Sequence, residues 1–245
     1  MRTILFTSLA VAIAALAGCG GGGGGENPPA PAPVFAPAKC FEPARYGLGA
    51  TLLLSYGSPG NVASTNESSR VETATVTFAQ TPGLLSDNTS RETIGAPSPP
   101  VRPVETKRYL QVKGDGTLVE YGTLINGPLS GVSEEITYSP PVTDARFTLT
   151  EGSTLSFNSK GTRRNGITFQ PMEGVDRTTT VRFEAIEPVS VPAGSYQACR
   201  YRVMETAGAY TFKSDVWVYR SVVVRHTTDL GTVELKTAKF NGSPL

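Results

Sequence analysis

The stretch Gly194-Ser195-Tyr196-Gln197-Ala198-Cys199-Arg200-Tyr201-Arg202-Val203-Met204 decides the fold class. Successive side chains of an extended chain point to opposite sides. Cys199, Tyr201 and Val203 therefore share one face, and Arg200, Arg202 and Met204 share the other. Three more extended runs follow, over residues 209–219, 222–228 and 232–240. Only Ala207-Gly208, Arg220-Ser221 and Asp229-Leu230-Gly231 separate them. Connections this short join antiparallel neighbours. The C-terminal third thus predicts a meander with one dry face and one wet face.

Upstream, the same signals recur more weakly. Residues 178–186 alternate with Val181, Phe183 and Ala185 on one side. Residues 134–138, 145–149 and 154–158 read as short strands, and Asn126-Gly127 and Asn165-Gly166 as turns. Residues 106–112 and 117–124 flank Lys113-Gly114-Asp115-Gly116, whose Asp-Gly step suits a tight hairpin. Residues 70–78 read as one strand and residues 50–56 as a first buried strand. Residues 80–104 carry Pro82, Pro97, Pro99, Pro100 and Pro103 without periodicity and are expected to be a long loop, either a lid or a disordered insertion. No run of ten residues has a helical period. The expected class is all-β: one antiparallel domain over residues 40–245, as a curved sheet, partly closed barrel or sandwich.

Before this domain the composition changes twice. Residues 1–18 have Arg2 at the front and an apolar run from Ile4 to Leu16, the layout of a secretory signal. That run is too short for a bilayer, which needs about 20 residues. It ends in Leu16-Ala17-Gly18-Cys19, which resembles the bacterial lipobox; the alternative is an ordinary signal peptide with an incidental Cys. The resemblance implies a diacylglycerol on the Cys19 sulfur, cleavage before Cys19, and acylation of the new N-terminus. Residues 19–39 hold six consecutive glycines and then alternating prolines, a flexible coil running into a semi-extended spacer. An Asp after Cys19 resembles the inner-membrane retention signal of enteric bacteria, so its absence leans toward the outer membrane; the expected side is the periplasmic one.

Removal of Arg2 with the leader leaves 21 Lys and Arg against 21 Asp and Glu. A balanced chain gives no electrostatic capture of nucleic acid or of an anionic surface, so membrane association falls to the lipid. With Cys19 lipidated, Cys40 and Cys199 remain as an even pair in an oxidising compartment and are expected to be bonded. Two separate buried thiols are the alternative.

Chemistry-bearing residues are sparse. His226 is the single histidine. A hydrolase would need it beside a carboxylate such as Asp229 and an activated serine, yet no Gly-x-Ser-x-Gly elbow occurs. No metal or cofactor pattern is present, and Gly114-Asp115-Gly116 is read as a turn because one carboxylate cannot supply six oxygens. Arg200, Arg202, Arg220 and Arg225 are the candidate anion-contacting face; the alternative is a solvated sheet with cross-strand partners such as Glu205 and Glu234.

The segment Val191-Pro192-Ala193-Gly194-Ser195-Tyr196-Gln197-Ala198-Cys199 is similar to a Val-Pro-Ala-Gly-Thr-Phe-x-x-Cys segment of exported bacterial β proteins, some of which resemble the LolA-like group. Trp217 and Gly231-Thr232-Val233 stand in comparable places. This resemblance implies a half-open barrel around a hydrophobic cavity. Together these observations lead to three expectations. The first is a non-enzymatic lipid-anchored envelope protein that binds an apolar ligand or a protein partner. The second is an assembly subunit without a cavity, and the remote third is a hydrolase using His226.

Overall fold

The computed structural model describes residues 40–60, 63–94, 103–127 and 132–245. Leu16-Ala17-Gly18-Cys19 and the 19–39 spacer lie outside them. The described chain is all-β in class, its strands joined by turns and two short 3-10 segments. Strands β1 (Thr51–Gly57), β2 (Ser64–Val71), β3 (Val76–Phe78), β4 (Thr81–Ile94) and β5 (Val104–Val112) form the first part. Strands β6 (Leu118–Gly127), β7 (Val132–Asp144), β8 (Thr154–Asn165) and β9 (Pro171–Val191) continue the sheet. Strands β10 (Gly194–Ala207), β11 (Tyr210–Tyr219), β12 (Val222–Thr228), β13 (Gly231–Phe240) and β14 (Ser243–Pro244) are the C-terminal meander.

Neighbours in sequence pair antiparallel, β3 and β14 hang on the edges, and β1 pairs with β13 from Leu52 opposite Phe240 to Gly57 opposite Glu234. That pairing closes twelve strands into a barrel. Of the architectures expected, closure is the one that leaves no long unpaired edge. Bulges at Ser55/Tyr56, Tyr109/Leu110, Glu120/Gly122, Gly161/Arg163, Arg200/Tyr201 and Trp217/Val218 supply the bends a barrel needs. The half-open barrel implied by the LolA-like resemblance is not what forms.

Two apolar clusters hold the barrel. One gathers Val181, Phe183, Cys199, Tyr201 and Val203 with Cys40 and Phe147; the other gathers Leu52, Leu54, Val189, Ala198, Val224 and Leu235. Ala198 and Cys199 are consecutive and both fully buried, so β10 is covered on both faces there. The dry face expected at Cys199, Tyr201 and Val203 is present. The other face is wet only beyond Ala198.

Three local expectations are corrected. Residues 81–94 form strand β4, not a loop. Its polar content hid it: Asp87, Thr89 and Arg91 point the same way as its apolar Leu85, so no apolar period exists. Pro82 sits beside the short β3 hairpin, near the start of the strand. Residues 145–149 form a 3-10 turn over Arg146–Thr148, because the Asp144 carboxylate accepts the Arg146 N–H at 3.1 Å and Phe147 turns into the core. Residues 70–78 break between β2 and β3, where the Glu72 N–H donates to the Ser86 carbonyl.

Candidate functional site

The chain enters the barrel through residues 40–46. Cys40 is bonded to Cys199 with Cα atoms 6.0 Å apart, and both are fully buried. Next to it, Phe41 packs on Phe147 with ring centroids 5.2 Å apart and Glu42 pairs with Arg220. Arg45 then turns inward to Asp87 at 3.3 Å and to Ser69. This N-terminal clasp closes one end of the lumen.

Beyond it lies a pocket of about 150 Å³ lined on β5 to β10. The register explains its polarity. Arg108 lies opposite Thr123, Leu110 opposite Glu120, Leu118 opposite Asp144, and Thr179 opposite Glu205, so these residues share the inward face. Arg108 donates to Glu120 at 2.6 Å and Arg146 to Asp144 at 2.6 Å, while Arg177 faces Glu205 at 3.6 Å. Burial pulls the Arg108 guanidinium down, but the Glu120 carboxylate outweighs this and holds it above its ordinary value. Asp144 does the same for Arg146. Above them the Tyr201 hydroxyl is buried without a hydrogen-bond partner, and burial raises its pKa. Three guanidiniums against three carboxylates leave the pocket neutral. Glu120 accepts from Arg108 and from the Thr123 hydroxyl, so its oxygens are already partnered inside the pocket. No apolar cavity of the kind that carries a lipid chain is lined by these residues.

The predicted arginine face is only partly assembled. Arg200 lies opposite Trp217, and Trp217 opposite Arg225, so these share a face with Arg202. Arg220 does not join them, because it sits in the β11–β12 turn with φ 47° and holds Glu42. Each of the four has an acidic partner: Glu187 for Arg200, Glu184 and Asp215 for Arg202, Glu42 for Arg220, Glu234 for Arg225. The Trp217 indole N–H donates to the same Glu187 at 2.7 Å, and Arg225 stacks 5.7 Å over the Trp217 ring. The solvated-sheet alternative describes this face, with Glu234 in its predicted role and Glu205 paired instead to Arg177. His226 lies between Val216 and Val233 in the register and does not line the pocket. Asp115 is a turn residue, its carboxylate accepting the Thr117 N–H at 2.8 Å.

The interior ion pairs were missed from the sequence, although a signal existed. Glu120 is in phase with Leu118 on its strand, and Arg108 is in phase with Leu110 on the next. Opposite charges at inward positions of neighbouring strands are the mark of a polar lumen.

Compared by sequence, the chain matches no family model and no curated protein. Compared by structure, it is similar to a crystal structure from Bacteroides fragilis described as an exported protein with a YmcC-like fold. The identity is 11%, the match covers 81% of this chain and 98% of that one, and the TM-score is 0.34.

Proposed function

We propose that this chain is an exported lipoprotein of the bacterial envelope, attached to the outer membrane on its periplasmic side through acylated Cys19. In this reading the barrel is a non-enzymatic binding body that works through its outer surface. The observation that carries the proposal is the buried Cys40–Cys199 bond, which ties the first described residue to β10, the first strand of the meander. A core built on such a bond suits an oxidising compartment. In the sequence Cys40 directly follows the Gly- and Pro-rich residues 19–39. The lumen argues for surface binding over carriage, since ion pairs line its pocket and the clasp closes one end. The closed sheet likewise leaves assembly by strand addition without an edge.

The test is Cys19→Ser. The expected result is a protein released to the soluble periplasmic fraction with its barrel intact. A Cys19→Ser protein that stays in washed membranes as fully as the parent would refute the anchor.

A further inference from the structure

Most of the large exposed apolar side chains of this barrel gather at one end, Leu48 and Leu53 being the exceptions. In an antiparallel barrel successive turns alternate between the two ends, so the β8–β9, β10–β11 and β12–β13 turns lie at one end. Ile167 and Phe169 occupy the first of these. Tyr210 and Phe212 lie beside the second, and Leu230 and Val233 at the third. Leu230 is 100% exposed, Tyr210 72% and Phe212 64%. Ile94 and Val104, which flank the β4–β5 connection at the same end, are exposed as well. The turns of the opposite end differ. They carry Gly114-Asp115, Thr150-Glu151, Pro192-Ala193 and Arg220-Ser221, and the large exposed apolar residue at that end is Leu48, ahead of β1. The clasp joins that polar end, where the Ser221 N–H donates to the Cys40 carbonyl.

We propose that this apolar rim rests in the surface of the bilayer that holds the protein's own anchor. The inference builds on the lipid-anchored reading above. Three features favour a bilayer as the occupant. The apolar residues stand on separate hairpin tips around a barrel mouth, interleaved with polar ones. A fluid surface accepts such a ring, whereas a protein interface needs one contiguous patch. The chain beyond its leader is charge-balanced, so the contact is apolar insertion rather than charge attraction. Chain length also suffices: 21 residues, as in 19–39, reach at most about 70 Å when fully extended. The 14 residues of β10 span about 46 Å. The rim can therefore turn down to the membrane although the spacer enters at the far end. Tethering raises the local lipid concentration, so tips that bind weakly alone act once the anchor is in place.

The test uses the mature Cys19→Ser chain, which separates the rim from the anchor, mixed at high lipid concentration with phosphatidylcholine vesicles. The expected result is flotation that salt does not reverse, and a loss of about tenfold or more in vesicle affinity for the Tyr210→Ser/Phe212→Ser/Leu230→Ser variant. Leu53→Ser removes an exposed apolar residue from the barrel wall and is expected to leave flotation unchanged. In a second arm the lipidated Leu230→Trp chain is reconstituted in vesicles containing brominated lipid, where the new indole should be quenched by the same bilayer that holds the anchor. Absence of flotation, equal flotation of the rim variant, an unquenched Trp at 230, or a rim-dependent dimer in place of flotation would each overturn the proposal. Whether Cys19 is acylated is read separately from the mass of its peptide, so a failed rim and a failed anchor are distinct outcomes.

Discussion

Replacing both Cys40 and Cys199 by Ala should destabilise the whole domain. The bond joins residues 159 apart in sequence. A loop of that length restricts the unfolded chain by about 5 kcal/mol in the chain-entropy account, and removal of native bonds costs about 2–5 kcal/mol. Both cysteines are fully buried against Tyr201, Phe183 and Phe147, so the lost sulfur atoms add a packing term. For a domain of this size 1 kcal/mol corresponds to about 2–4 °C, which places the melting temperature about 4–20 °C below the parent. The Phe41–Phe147 contact and the Glu42–Arg220 and Arg45–Asp87 pairs still hold the clasp in place, so a folded barrel is expected. The assay is thermal unfolding by circular dichroism of the exported protein, parent against double variant. A drop of less than about 4 °C would refute the claim that the bond constrains the whole domain.

Asp87→Ala leaves Arg45 buried and uncompensated, with side-chain exposures of 9% and 4% for the pair in the parent. Urea unfolding should show a loss of about 3–5 kcal/mol, and a loss under 1 would contradict a buried pair. Burial raises the phenols of Tyr46, Tyr56 and Tyr201 above their usual value of 10.0. A raised folded pKa means stability is fully present below pH 10 and falls as the pH climbs above it. Absorbance at 295 nm should therefore show these tyrosines ionising only on unfolding, and a single reversible titration of all nine near pH 10 would count against the closed lumen. Gly122→Val should destabilise by about 1–3 kcal/mol in thermal unfolding, because a Cβ there meets the Phe78 ring and the Ile136 carbonyl. Unchanged stability would mean that the β6 bulge yields.

The meander was legible because each of its strands alternates and each turn is two or three residues long. The disulfide was legible from cysteine number and compartment. Strand β4 was not, since Asp87, Thr89 and Arg91 share the face of Leu85, with Asp87 answering the buried Arg45, and so break the apolar rule on which strand reading depends. The 3-10 turn at Arg146 was hidden by a local choice, the Asp144 side chain capturing a backbone N–H. Barrel closure depends on β1 meeting β13 across nearly the whole domain, and no local pattern carries that information. Of the candidate site residues, Cys40 and Cys199 came together as expected. The arginines proved to be partnered, and the pocket pairs emerged only once the register was known.

The most direct measurement is the mass of the N-terminal peptide from the membrane-extracted protein. The account predicts a chain beginning at Cys19 and carrying a diacylglycerol and an amide-linked acyl group. A chain that begins elsewhere, or an unmodified Cys19, would contradict it.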